Sequence, residues 1–330
     1  ISDYRERRAA SLKIGIVGAG GMGSVHSRHY RKIAGVELVI YDELTEKAQS
    51  LATIHEAGLA DSLDDLIRQC DVIDVCLPTD AHKSCALSAI AAGRHVFVEK
   101  PIAGNLLDAS AIINAAEKAG VVLSVGQVVR FFPEFKAANA MVRDGKLGRP
   151  AAARTRRGGG APKADWFLDH SRSGGVIVDL AVHDFDWLRW TLGEVSHLYS
   201  RSVGIQDGVG LDYALTTLTF DSGAVAHVEA TWMDPAGFRV TFEVCGSEGM
   251  VQYDSRTIPT LRTHQTKGVR NEAPLSSQDD PYHNQLSAFI KACRGEAPPA
   301  VTGYDGFMAL SIALAALESA KTGEVVRPTR

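Results

Sequence analysis

Leu12-Lys13-Ile14-Gly15-Ile16-Val17-Gly18-Ala19-Gly20-Gly21-Met22-Gly23 decides how the chain begins to fold. A short apolar run ends directly in Gly18-x-Gly20-x-x-Gly23, and the helix-compatible segment SVHSRHYRKIA follows. This strand–turn–helix context separates a dinucleotide-binding fingerprint from a chance pattern in a chain with 31 glycines. Gly18 is expected to make the tight turn, Gly20 to let a pyrophosphate approach the backbone, and Gly23 to let helix pack on strand. Gly21 and Met22 open that helix, whose unpaired N–H groups and positive dipole end favour phosphate.

The second apolar run, VELVI (36–40), is followed by Tyr41 and Asp42, nineteen positions after Gly23. A carboxylate there bonds the ribose hydroxyls of NAD and repels a 2′-phosphate, which favours NAD over NADP. A second reading stands beside it, in which Asp42 caps a helix starting near Leu44.

Further β-branched runs at 71–77, 95–99 and 121–125 alternate with amphipathic stretches at 44–54, 62–69, 81–92 and 106–119. That alternation predicts a doubly wound parallel α/β sheet of the Rossmann type. After about residue 130 the pattern changes. A helix at 134–143, a Gly/Arg-rich loop from Arg156 to Gly160 and a helix at 176–192 come first. Period-2 runs at 195–206, 212–220, 223–232, 238–246 and 249–254 then predict an antiparallel meander, closed by helices near 282–294 and 304–321. The expected organisation is a flexible extension over 1–11, a dinucleotide-binding domain over 12–130, and an α+β domain over 131–330 with a largely antiparallel, open-faced sheet. The bare face suits another subunit.

The 330 residues carry a net charge of −4, with no charge-based reason to expect nucleic acid or membrane partners. Five cysteines without a CxxC pair read as free thiols in a reducing compartment. The start lacks a signal-peptide core, and the expectation is a cytoplasmic protein.

Three further clusters carry chemistry. Leu77-Pro78-Thr79 with His82 follows a strand's carboxyl end and is expected to border the nicotinamide side of the cofactor; Pro78 as a plain strand terminator is the competing reading. Glu99-Lys100-Pro101 sits at the next carboxyl end, where an ammonium would stabilise a developing alkoxide. The competing reading is an exposed Glu99–Lys100 pair. Gly174-Gly175 precedes Asp179 and His183, four apart and so on one helical face, suiting a proton acceptor with an orienting carboxylate. Surface pairing is the ordinary fate of such a pair. The histidines show no ligand spacing of a metal site, and none is expected.

In this combination and order the chain resembles the glucose–fructose oxidoreductase/inositol dehydrogenase (Gfo/Idh/MocA) family, from Leu12 to about Pro328. The resemblance implies that Lys100 and His183 are catalytic with Asp179 assisting, that Asp186 touches substrate, and that Gly126-Gln127-Val128-Val129-Arg130-Phe131 contributes Gln127 to the cofactor and Arg130 to the substrate. Val129 departs from the polar residue many members carry there. Trp166, and Phe131 beside it in role, are expected either to cover a sugar's apolar face or to be core. The implied activity is hydride exchange between a secondary alcohol carbon of a sugar or polyol, inositol-like, and NAD, in a homodimer or homotetramer. Two alternatives remain: an NAD-using glycosidase without net redox change, and a nucleotide-sensing regulator.

Overall fold

The computed structural model describes residues 11–160, 169–204, 212–265, 268–272 and 280–330. The chain divides into two compact units, one of Ile1–Val128 with Asp280–Phe307, the other of Val129–Asp279 with Met308–Arg330.

In the first unit, β1 (Leu12–Val17), α1 (Gly21–Tyr30), β2 (Val36–Tyr41), α2 (Thr45–His55), β3 (Gly58–Leu59), α3 (Leu63–Gln69), β4 (Val72–Val75), α4 (Thr79–Ala91), β5 (His95–Val98), α5 (Leu106–Ala119) and β6 (Leu123–Val125) alternate. The strands form one parallel sheet in the order β3-β2-β1-β4-β5-β6. This is the doubly wound arrangement that places ligands outside the strands' carboxyl ends. Local signals start and stop its helices. Ser62 accepts from Asp65 N–H to cap α3, Asn105 accepts from Asp108 N–H to cap α5, and Gly120 ends α5 at φ +65°.

A helix from far along the chain completes this unit. After the second unit's α6 (Pro133–Arg143) and α7 (Val182–Leu192), α8 (Pro281–Cys293) inserts Leu286, Phe289 and Ile290 into the core formed by Ile14, Ile16, Ile40 and Phe97. Phe289 meets Phe97 edge-on at 5.2 Å. The expected grouping of 131–330 as one contiguous domain therefore differs from the observed division, because α8 spends its apolar face on the parallel sheet.

The second unit carries an eight-stranded sheet: β7 (Pro150–Gly158), β8 (Val195–Gly204), β9 (Asp212–Phe220), β10 (Val225–Thr231), β11 (Arg239–Gly246), β12 (Gly249–Asp254), β13 (Leu261–Gln265) and β14 (Gly268–Glu272). Their order is β14-β13-β12-β11-β7-β10-β9-β8, antiparallel throughout except for β7 beside β10. The stretch expected as an arginine-rich loop is, up to Gly158, the end of a central strand. Its arginines alternate in direction. Arg154 and Arg156 pair with Glu243 and Glu229 on neighbouring strands, whereas Arg157 turns inward to Asp184. One face is packed by Phe135 of α6 and Trp187 of α7, both against Phe242 of β11 with centroids 4.9 and 4.7 Å apart. The last helix, α9 (Gly303–Thr322), contains the division between the units. No helix among the described residues is long and apolar enough to cross a membrane, and the five cysteines are free.

Candidate active site

Each glycine of the first turn answers a different constraint. Gly18 holds φ +102°, and a Cβ on it would lie 2.6 Å from the Cys76 carbonyl oxygen. A Cβ on Gly23 would overlap the Gly18 carbonyl oxygen at 1.9 Å. By contrast, a Cβ on Gly20 or Gly21 would meet nothing within 4 Å, so the protein leaves this space open. Gly20 caps α1 with no side chain, and the first turn holds no acidic residue. The N–H groups of Gly21 and Met22 therefore begin a helix whose positive end no carboxylate of its own first turn neutralises. This cradle fits a diphosphate.

Asp42 stands at the end of β2, half-buried. One carboxylate oxygen accepts from Ala19 N–H at 2.7 Å and the other from Leu44 N–H at 2.8 Å. It thus fastens the glycine turn and the approach to α2 at once. Each oxygen retains a lone pair for a ribose hydroxyl.

Leu77 and Pro78 are half-buried on the loop after β4, and Thr79 opens α4. His82 differs from expectation. Its ring is buried, with Nδ1 2.9 Å from the Pro101 carbonyl and Nε2 2.8 Å from that of Leu77. A neutral ring has one N–H, so it donates to one of these carbonyls while its other nitrogen faces the second, and the ring is enclosed between the two loops. Burial lowers its pKa despite those carbonyls. Glu99 is also turned inward. Its Oε2 accepts from Lys100 N–H at 3.1 Å and its Oε1 lies 3.2 Å from His26 Nε2. Lys100 follows half-buried, joined to Pro101 by a cis peptide. Gln127, beyond β6, is 1% exposed, and its side-chain amide finds neither donor nor acceptor among the described residues. An unsatisfied buried amide is costly, and a bound carboxamide would satisfy both its ends.

The sequence signalled nothing of the cluster behind this rim. His26 of α1 and Asp74 of β4 are fully buried, with Nδ1 and Oδ2 2.8 Å apart. Cys76 Sγ donates to Asp74 Oδ1 at 3.3 Å and lies 3.4 Å from His26 Nδ1. Burial opposes a charged ring, but Asp74 and Cys76 outweigh it, and the His26 pKa is raised well above its usual value.

In the second unit, Gly174 and Gly175 hold φ +71° and +63°. A Cβ on Gly175 would sit 2.5 Å from an Asp212 carboxylate oxygen, and that same oxygen accepts from Val176 N–H at 2.6 Å. Asp212, unforeseen in the sequence, thereby anchors the start of the segment that carries Asp179 and His183. Ile177–Ala181 form a π-helical turn that runs into α7, a distortion frequent at functional sites. Asp179 on this turn is buried, while His183 in the first turn of α7 is partly exposed. The acidic neighbours of His183 are shut away. Asp184 takes a bidentate contact from Arg157 at 2.7 and 3.2 Å, and Asp186 one from Arg130 at 2.7 and 2.6 Å.

Arg130 and Asp186, the residues expected at the substrate, meet in one ion pair. They are buried against each other, with Asp186 at 0% exposure and the Arg130 guanidinium 5.5 Å from the Trp190 ring centroid. A buried carboxylate needs such a partner, and the pair ties Arg130 to α7. Trp166 lies outside the described residues.

Comparison with known proteins agrees with this geometry. Residues 12–127 match the oxidoreductase family with NAD-binding Rossmann fold, GFO_IDH_MocA, and residues 135–252 match the GFO/IDH/MocA C-terminal domain. The myo-inositol 2-dehydrogenase of Thermotoga maritima is 32% identical over 326 residues, covering 93% of this chain and 96% of the relative. The 1,5-anhydro-D-fructose reductase of Ensifer adhaerens is 32% identical over 312 residues, covering 89% and 91%. The crystal structure of GenD2 from gentamicin A biosynthesis in complex with NAD superposes with a TM-score of 0.86 at 26% identity, covering 97% of each chain. The chain belongs to the GFO/IDH/MocA family, as an NAD-dependent dehydrogenase built on an NAD-binding Rossmann unit.

Proposed function

We propose that this dehydrogenase acts reversibly on a secondary alcohol of a sugar or polyol, with inositols foremost among its candidate substrates. His183 takes the hydroxyl proton in the oxidising direction and returns it in the other, since an imidazole titrates near pH ~6.5 and serves both directions at neutral pH. The Lys100 ammonium stabilises negative charge developing on the same oxygen. Asp179 orients the imidazole. NAD, when bound, supplies the two-electron acceptor; Gly20, Gly21, Met22, Asp42, Leu77, Pro78, Thr79 and Gln127 are the residues that would hold it.

The observation that carries this reading is the selective exposure of His183. Its acidic neighbours on α7, Asp184 and Asp186, are sealed in arginine pairs, whereas His183 is only partly buried. A helix so fixed presents one proton-transfer group. The names of the relatives supply the substrate class, since they include inositol dehydrogenases and a sugar reductase.

The test is a panel of inositols, hexoses and anhydrosugars with NAD, following the absorbance of reduced cofactor. Accumulation with one substrate class supports the reading. Bond cleavage without accumulation favours the redox-neutral glycosidase, and binding without turnover the regulator. We also assign a homodimer or homotetramer to the open sheet face, where Tyr199 and Leu215 stay exposed. Sedimentation equilibrium of the protein with Leu215→Glu checks it: the variant should be monomeric, and an unchanged mass rejects this face.

A further inference from the structure

Four side chains behind the catalytic lysine have no part in the chemistry above. His26 lies on α1, the helix whose first turn forms the phosphate cradle; Asp74 lies on β4; Cys76 follows β4; Glu99 follows β5. All belong to the first unit. We propose that His26 is a positioning residue: clamped between Asp74 and Glu99, it fixes the Glu99 carboxylate against the Lys100 backbone N–H and so sets where the Lys100 ammonium stands. This rests on the catalytic reading of Lys100.

The argument begins with the shape of the site. Glu99 directly follows a buried strand, and its own N–H continues the ladder to the Val75 carbonyl at 3.1 Å. Its side chain had a choice between solvent and interior. The interior is moulded for it, since a Cβ on Gly126 would lie 2.6 Å from Glu99 Oε1. Only glycine leaves room for the carboxylate there.

Charge then decides. A carboxylate only 7% exposed demands compensation. His26 Nε2 stands 3.2 Å from Glu99 Oε1, a charge contact without ideal hydrogen-bond alignment, while Nδ1 contacts Asp74 at 2.8 Å. One imidazolium thus serves two carboxylates. The remaining faces of the ring are covered by Phe97 at 5.5 Å, Tyr30 at 6.4 Å and Tyr282 of α8 at 6.5 Å between centroids, and Cys76 Sγ closes the cluster. The raised His26 pKa agrees with a proton held on both nitrogens.

A mechanical link follows. The carboxylate held by His26 accepts from Lys100 N–H through Oε2 at 3.1 Å. Glu99 is therefore the bridge between the nucleotide-binding helix and the lysine's backbone. A displacement of ~1 Å at a catalytic group costs up to about a hundredfold in rate.

The experiment uses the full enzyme with His26→Asn, Glu99→Gln and the double variant. We expect kcat of H26N to fall about tenfold or more, with Kd for reduced cofactor, read by fluorescence titration, within about threefold of wild type. E99Q should behave alike, and the double variant should be no worse than H26N, because the two residues act through one contact. Unchanged kcat in H26N, or effects that multiply in the double variant, would overturn the proposal. Independently of folding in the variants, 15N NMR of the histidine-labelled wild type at about pH 8 should find both His26 ring nitrogens protonated, where a free imidazole is neutral. A neutral His26 ring overturns the clamp. Lys100→Met separates the two readings: full turnover in K100M refutes the catalytic lysine, while the His26–Glu99 coupling is still read from the unfolding midpoints of the variants.

Discussion

Two glycine turns start the two helices that matter, and they treat the helix end in opposite ways. At Gly18–Gly23 the end of α1 has no side-chain cap, and Cβ positions on Gly20 and Gly21 face empty space. At Gly174–Gly175 a buried carboxylate, Asp212, already accepts from Val176 N–H, and a Cβ on Gly175 would strike it. The first turn reserves its positive end for something the protein does not supply. The second satisfies itself and spends its geometry on presenting His183. Glycine pairs that look alike in a sequence thus serve a ligand in one unit and a side chain in the other.

Four measurements press on that contrast. The largest effect belongs to the second turn's product: His183→Ala should lower turnover by about 10²–10⁴-fold while cofactor affinity stays near wild type, as steady-state kinetics and fluorescence titration will tell. Equal losses in affinity would move His183 to the first turn's business. Next, Arg130→Ala should destabilise the second unit by about 3–5 kcal/mol, because it removes the bidentate arginine partner of a buried carboxylate. Urea unfolding measures this, and a wild-type midpoint would return Arg130 to the substrate.

The third is a matched pair. Gly20→Val should weaken NAD binding by at least about tenfold without changing the unfolding midpoint, because the added atoms enter ligand space alone. Gly175→Ala should do the reverse, losing about 1–3 kcal/mol of stability to a strained φ and a displaced Asp212 with cofactor affinity intact. Identical responses would erase the distinction between the turns.

The smallest effect is a pH profile of the first unit, where two buried histidines have opposite signs. His26 has a raised pKa, so its stabilisation is complete below the unfolded value of about 6.5 and is lost as pH rises through the folded value. His82 has a pKa lowered by burial, so its contribution is present above about 6.5 and is lost as pH falls. Unfolding midpoints across this range should decline less on the alkaline side in His26→Asn and less on the acid side in His82→Asn.

The parts of this molecule legible in its sequence are those whose cause is local. Gly18 needs a positive φ, Gly23 lacks room for a Cβ, and both requirements leave the same residue in the string. The parallel strands declare themselves because burial on two faces selects unbroken β-branched runs. What hid did so for physical reasons. The strand β7 reads as a loop because its arginines are neutralised by acids some 27 to 89 positions away, which no window reveals. The pairing of Arg130 with Asp186 is hidden on the same ground: a charge that meets a buried partner and one that meets a ligand look identical until the partner is located. The enclosure of His82 hides too, because its two carbonyl partners are backbone atoms, which carry no signature in the sequence.

The late return of α8 to the parallel sheet bears on synthesis. Leu286, Phe289 and Ile290 reach the core shared by Ile14 and Phe97 only after residues 129–279 have been translated. A nascent chain halted near Val128 would hold a nearly finished sheet with its oily flank open to water. Such an intermediate is a natural client for a chaperone, and a fragment cut there should clump more readily than the intact chain.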